Sequence, residues 1–333
     1  MELKEIGEFG FIERIKPWFS NLVQETQMGI GDDCAIIPIN DEEDLLVTTD
    51  LLLEDVHFLR SAITPKQLGY KSLAVNLSDI AAMGGNPVGS FLSIAIPSDI
   101  DVEYLDAFIK GYHELSAKYN TPLLGGDTTK SMKHLAINVC IIGKCPKGKA
   151  RKRSMALADD AVCVTGYLGD SAGGLQVILN KLKPSPHCTY LLNKHRLPEP
   201  LLSEGQFLAT FSEVHAMMDI SDGIASDLNH ILNASSVAAN INLDWLPISE
   251  QLASVTKKQG WDAIELAVGG GEDYELLLTV AADKLVTIQK EFLTKFNKPL
   301  IQIGTIIQKS PCIKWFIGGE EVNINKKGFN HFQ

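Results

Sequence analysis

No run of about 18 apolar residues occurs in the sequence, the length a membrane-crossing helix needs. Its first residues, MELKEIGEFGFIERI, carry acids and lack the apolar stretch of a secretion signal. The expectation is a soluble, cytoplasmic protein with no membrane partner. A cation excess is also missing. The net charge is −11, whereas nucleic-acid binding relies on Lys and Arg to neutralise phosphates, so DNA and RNA partners are excluded. None of the six cysteines forms a C-x-x-C pair. Most sit in apolar stretches such as AINVCII and AVCVTG, which predicts buried, reduced thiols. The eight histidines show no metal-ligand spacing.

A nucleotide-binding P-loop is absent too. Gly143 to Lys149 comes within one residue of one, but Ala150 stands where Ser or Thr must hold Mg²⁺. The segment GDSAGG (169–174) is a glycine-rich turn of the kind that receives phosphate at a helix start, a weak signal by itself.

What the sequence does contain is an alternation of strand and helix patterns over a length that suggests two domains. Apolar runs at 34–39 and 45–49 flank the acidic turn NDEED and predict a hairpin. Helices are predicted over 65–83, with Pro65 in the first turn and Gly84-Gly85 at the end, and over 101–119, where apolar residues recur at helical spacing. Strands are predicted at 87–96 and 135–142. Residues 143–160 are first basic, then acidic, and poor in apolar side chains, which is linker composition. Beyond them the alternation resumes, with strands at 161–165, 216–220 and 274–280 and helices from 171 and over 222–233. The class is α/β, or α+β, in two domains of 1–146 and 147–333.

The aspartates fall beside Gly, Ser or Thr in short turns: Asp32-Asp33 in GIGDDCA, Asp50 in VTTDLL, Asp79 in NLSDIAAMGG, Asp127 in LLGGDTT, Asp219 and Asp222 in MDISDG. Any one of them alone reads as a helix cap or turn residue. Together they offer the hard oxygen ligands that Mg²⁺ takes alongside substrate phosphates. An acidic chain can then bind an anionic nucleotide through the metal.

These segments, with GEFGFIERI, VHFL, YKSLAVNLSDIAAMGG, VTGYLGDSAGGL, DISDGIASDLNHI, GGGEDYELLLTV and KKGFNHF, resemble the thiamine-monophosphate kinase family from residue 7 to residue 332, in the family's order. The related superfamily includes aminoimidazole-ribonucleotide synthetase, selenophosphate synthetase and a hydrogenase-maturation protein. The first cysteine, Cys34, follows the Asp pair, and the chain ends GFNHFQ; both features favour the kinase over its relatives with functional cysteines. The resemblance implies the aminoimidazole-ribonucleotide synthetase-like fold and a homodimer formed through the N-terminal sheet, with ATP in a cleft across it. It implies phosphorylation of thiamine monophosphate to thiamine diphosphate with several Mg²⁺ ions. Asp33, Thr48, Thr49, Asp50, Asp79, Asp127, Asp219 and Asp222 match the metal ligands. Gly126, Asp127, Arg153 and Ser221 match nucleotide contacts, and His57, Glu272 and Phe329 match contacts to thiamine phosphate, Phe329 by stacking on its rings. Asp127, Asp219 and Arg153 would carry the transfer. Two positions depart from the family pattern: Met155 replaces a glycine near Arg153, and Asn330 an aspartate. Without the resemblance, Arg153 reads as a solvated linker charge between basic neighbours.

Overall fold

The computed structural model describes residues 3–324 and Gly328. The chain forms a mixed α/β fold of two parts, each built on one sheet. The first part contains α1 (Leu3–Ser20), β1 (Ala35–Pro38), β2 (Glu43–Leu53), α2 (Pro65–Ala82), β3 (Asn86–Ile96), α3 (Val102–Lys118), β4 (Leu123–Lys130) and β5 (Ala136–Pro146). Its five strands lie in the order β1-β2-β5-β3-β4. The predicted hairpin is present, with Ile37 opposite Leu45. Strand β4 runs parallel to β3 at the sheet edge. Strand β5 continues to Pro146, so residues 143–146 belong to the sheet and not to the linker. Their alternation carries on that of the strand, with Gly143 and Cys145 facing inward as Ile137, Val139 and Ile141 do.

The second part contains β6 (Ala161–Val164), α4 (Asp170–Leu179), α5 (Pro186–Arg196), α6 (Leu202–Leu208), β7 (Val214–Asp219), α7 (Ile224–Ser235), β8 (Ala238–Asn242), α8 (Glu250–Gln259), α9 (Ala263–Gly269), β9 (Leu276–Val280), α10 (Leu285–Phe296), β10 (Ile301–Ile307), β11 (Ile313–Ile317) and β12 (Glu320–Val322). The sheet order is β12-β11-β8-β10-β6-β9-β7. Every residue of β6 and β9 is buried, which marks a sheet covered on both faces. Cys163, Leu276 and Leu278 pack into one apolar cluster, while Val162, Val164 and Leu277 pack into another, with Ile224 and Leu228 of α7.

Helix α2 joins the two parts. Thr64 and Gln67 form a capping box at its start. Thirteen of its eighteen residues are buried, so from Leu68 onward the helix is enclosed on nearly all sides, as expected of an internal helix. Leu68, Leu73 and Leu77 share one cluster with Leu202 and Leu208 of α6 and with Val214 and Met217 of β7. The connecting segment is pinned beside it: Arg151 donates from its backbone to Met83 O at 3.2 Å and from its guanidinium to Ala209 O and Phe211 O at 2.7 and 2.8 Å.

Helices α2 and α3 meet at two glycines. A Cβ on Gly69 would lie 1.9 Å from Phe108 O, and one on Gly111 would lie 1.7 Å from Lys66 O. The backbones touch, and no side chain can move aside to make room. We expect Gly111→Ala to lower stability by about 1–3 kcal/mol, the usual cost of overpacking, read as a lower urea midpoint with an unchanged m-value.

Candidate active site

The site forms where β2, α2 and β7 converge. Carboxylate oxygens of Asp33, Asp79 and Asp219 lie within 4.8 Å of one another. Asp79 sits in the last turn of α2, Asp219 at the end of β7, and Asp33 in the turn before β1. Thr48 of β2 donates to Asp79 Oδ2, and Ser78 of α2 donates to Asp219 Oδ2 at 2.6 Å. Oxygen Oδ2 of Asp33 is buried with no hydrogen-bond partner.

Burial raises all these acids, and for Asp79 and Asp219 mutual repulsion adds to it. Asp219 is pushed up to about 8 by desolvation and then by the Asp33 charge. Burial lifts Asp79 well above its ordinary value, with Asp50 and Asp219 contributing. Asp50 rises to about 6 for the same two reasons, burial and Asp33. A buried, unpartnered oxygen among three carboxylates is a costly arrangement unless a cation completes it. The donors are hard oxygens, carboxylates with a threonine hydroxyl beside them, and this chemistry fits Mg²⁺.

Arg153 supplies a fixed positive charge. Its guanidinium lies 2.5 Å from Asp33 Oδ1, and its backbone N–H donates to Asp32 at 3.1 Å. The side chain is only 18% exposed, so Arg153 is not a solvated linker charge. Asp32 also belongs here, raised to about 7 by burial and by Asp33.

Next to the cluster opens a cavity of about 720 Å³. Asp50, Ser221 and Asp222 line the end nearest the acids; Asp222 is raised to about 6, chiefly by burial. Apolar side chains including Leu52, Phe58, Ile63 and Leu179 form its walls. His57 and Glu272 also line it, with Gly328 of the C-terminal segment. His57 accepts the Leu53 backbone N–H at Nδ1, 2.9 Å. The volume, and a lining that mixes apolar walls with many charged and polar groups, suit a small charged ligand.

Residues 31–145 match the family described as AIR synthase related protein, N-terminal domain, and residues 158–312 match its C-terminal domain. Thiamine-monophosphate kinase of Bacillus subtilis (strain 168) is 37% identical over 98% of this chain and 100% of its own length. That of Escherichia coli (strain K12) is 37% identical over 98% of each. The solved structure of AaThiL complexed with AMPPCP and TMP superposes with a TM-score of 0.86 at 34% identity, covering 99% of both chains. The chain belongs to the thiamine-monophosphate kinase family.

Of the positions that match thiamine-monophosphate kinase ligands, the structure brings Asp33, Thr48, Asp50, Asp79 and Asp219 to one place, with Ser221 and Asp222 at the adjoining cavity wall. Thr49 points to the opposite face of β2, where it donates to Val139 O at 3.1 Å. Asp127 stands on edge strand β4, level with Ser93, and every residue of that strand is exposed; it does not join the carboxylate cluster of its own chain. Gly126 precedes it for a structural reason: a Cβ there would lie 1.7 Å from Leu92 O, at φ 153°. Phe329 lies outside the described residues.

The glycine-rich turn at 169–174 has two of its amides taken by an internal carboxylate. Asp273 accepts from Gly169 N at 2.6 Å and Ser171 N at 3.1 Å, so an internal carboxylate caps α4. Burial raises this acid to about 8 although both amides pull it down. Three residues carried no sequence signal as site residues. Lys71, at a helix-interior position, and His195 both reach the cavity, and Asp227 caps α7 through Gly223 N at 3.0 Å. For Lys71 the one available cue was a charge amid the apolar and small residues at 68–75 of the helix.

The raised acids give a testable pH dependence. Their folded pKa values exceed the unfolded value, so the folded, metal-free protein binds extra protons, and the stability they confer is lost as pH rises towards about 8. His195 and His230, lowered to about 4 by burial, act oppositely, but only below their unfolded value near 6.5. Between about pH 6.5 and 8.5 the acids therefore decide. We expect the Tm of the metal-free protein to fall across this interval, and Mg²⁺ to raise Tm by about 2 °C or more at the alkaline end with less effect at the acid end. Differential scanning fluorimetry with and without chelator measures both.

Proposed function

We propose that the protein transfers the γ-phosphoryl group of ATP to the phosphate of thiamine monophosphate, giving thiamine diphosphate and ADP. The observation that carries this reading is the junction of a buried carboxylate cluster with a cavity of ligand size that has both charged groups and apolar walls, which supports a phosphate-handling end and a ring-binding end in one cleft. A substrate phosphate oxygen forms the new bond to the γ-phosphorus as the bond to the β-phosphate oxygen breaks. A phosphate monoester has its second pKa near 6, so the nucleophile needs no general base, and the residues have only to position and neutralise two polyanions.

Asp33, Asp79 and Asp219, with Thr48, Asp50 and Asp222, would hold Mg²⁺. Bound there, the metal would offset phosphate charge and assist departure of ADP. Arg153 holds Asp32 and Asp33 in place and stands ready as a planar donor to phosphate oxygens. Ser221 and Asp222 form the wall between nucleotide and acceptor. His57 and Glu272 line the cavity for the thiamine moiety, and Phe329, beside the cavity-lining Gly328, would stack on its rings.

The reading includes a homodimer joined through the N-terminal sheets, with residues 1–146 and 147–333 as its domains. Exposed apolar side chains on β1, β2 and β4 support it, among them Ile37, Leu51, Leu123 and Leu124. An open strand edge of this kind calls for a partner. In the dimer, Gly126, Asp127 and Thr49 would leave solvent and meet the nucleotide across the joined sheets.

The test is release of ADP with ATP and Mg²⁺, comparing thiamine monophosphate with free thiamine. We expect turnover with the monophosphate, at least about a hundredfold less with free thiamine, where an alcohol must replace the dianionic nucleophile, and none in excess EDTA. Equal turnover with both acceptors would refute phosphate as the acceptor. Sedimentation of the same sample should give twice the chain mass; a monomer would refute the shared site.

A further inference from the structure

The cavity holds a second charged assembly, distinct from the aspartate cluster. Lys71 stands inside α2 with its side chain 1% exposed. Its ammonium lies 2.9 Å from Oε1 and 3.0 Å from Oε2 of Glu272. One buried lysine thus grips both oxygens of a carboxylate that belongs to the other domain. From α5, His195 brings Nδ1 to 3.2 Å from Oε2 of the same carboxylate. That Nδ1 is also 3.0 Å from Ser171 Oγ at the start of α4.

Glu272 is held in the left-handed backbone region at φ 65°, an uncommon conformation for a residue with a side chain. It follows Gly269, Gly270 and Gly271, and its N–H donates to Ser221 O at 2.7 Å. A pair that served stability alone would be closed from solvent on all sides. This one is closed beneath, at Lys71, and open above: the Glu272 side chain keeps 25% exposure and lines the cavity.

We propose that Lys71 is a positioning residue: with His195 it holds the Glu272 carboxylate ionised and aimed into the cavity, where it meets the cationic thiazolium end of the substrate. This rests on the thiamine monophosphate reading above. An ionised Glu272 accepts hydrogen bonds and donates none, so this arrangement calls for the His195 proton on Nδ1, the atom that also lies 3.0 Å from Ser171 Oγ. Lys71 and His195 face Glu272 with His57, Asp222 and Tyr274 around it, and Arg196 stands beside His195. Burial alone would raise the Glu272 carboxyl. The Lys71 ammonium, followed by His195, outweighs it and keeps the group below its ordinary value. His195 is lowered to about 4, first by burial and then by Lys71, so it is neutral at pH 7. Removing the Lys71 charge leaves a desolvated carboxylate faced by His195 and His57 alone, and its protonation moves up towards the assay range.

The experiment measures KM for thiamine monophosphate and for ATP from about pH 6.5 to 8.5 in the wild-type protein, Lys71→Met, Glu272→Gln and the double variant. Each value is divided by the wild-type value at the same pH, which cancels the substrate's own titration. In Lys71→Met we expect the ratio for thiamine monophosphate to be about tenfold or more at the acid end and to shrink as pH rises, with the ATP ratio within about twofold. Glu272→Gln and the double variant should show a raised ratio that does not change with pH, and equal to each other. A folded Lys71→Met with a pH-independent ratio, or with both KM values raised alike, overturns the proposal, as does a pH-dependent ratio in the double variant.

If Lys71→Met fails to fold while the double variant folds, the two charges are coupled as proposed, since one unpaired buried charge costs more than removal of both. If neither folds, ¹⁵N NMR of the wild-type imidazoles decides, with His195 assigned by its substitution. A neutral His195 protonated at Nδ1 supports the network; protonation at Nε2, or an imidazolium at pH 7, overturns it. Failure of the wild-type protein to form thiamine diphosphate would instead refute the substrate reading, and the NMR result would still judge the network.

Discussion

The repulsion among Asp33, Asp79 and Asp219 is the constraint around which the molecule is organised. Three carboxylates in a desolvated pocket cannot all stay ionised unless positive charge is brought to them. The chain supplies part of it through Arg153 and leaves Asp33 Oδ2 without a partner. The acids reach the pocket from a turn, a helix and a strand end, in both halves of the chain, so the fold must hold the halves together against the charges it collects. Ser78 and Thr48 contribute by donating to two of the acids. Helix α2 contributes most, because its apolar sides seal both sheets behind the pocket.

Much of the fold was legible wherever one local signal dominated. The hairpin around NDEED, the helix between Pro65 and Gly84, and the strands whose apolar residues alternate all lie within a few residues of their expected places. Elements in the C-terminal half escaped where the signal depended on partners. Strands β8 and β10 are short apolar runs that gain strand character from each other and from β6. The amphipathic helices α8 and α10 carry proper stripes but were not singled out. Strand β4 was hidden because LLGGDTTK has two glycines and no alternating burial; it is a strand because β3 offers a parallel edge to it.

The site was legible in its chemistry and less so in its geometry. The spacing of Asp33, Asp50, Asp79 and Asp219 carries no record of convergence; the family resemblance supplied it. What resemblance and pattern both missed is the pair of side chains that face Glu272. Lys71 looks, in sequence, like one charge in a helix, and His195 like a last-turn cation beside Lys194 and Arg196. The turn at 169–174 is a weak signal in sequence, and Asp273, a hundred residues away, accepts from its Gly169 and Ser171 amides.

Helix α2 belongs to the first sheet by sequence and to both by packing, and this bears on how ligands enter. To open the cleft like a clamshell, the protein would have to pull Leu202 and Met217 from a shared apolar seam, break the Ser78–Asp219 hydrogen bond and separate Lys71 from Glu272. Each of these resists the same hinge. A clamshell opening is therefore opposed at three points along one helix. Residues 55–59, 62 and 63 and Gly328 line the same cavity, and none of them belongs to either sheet.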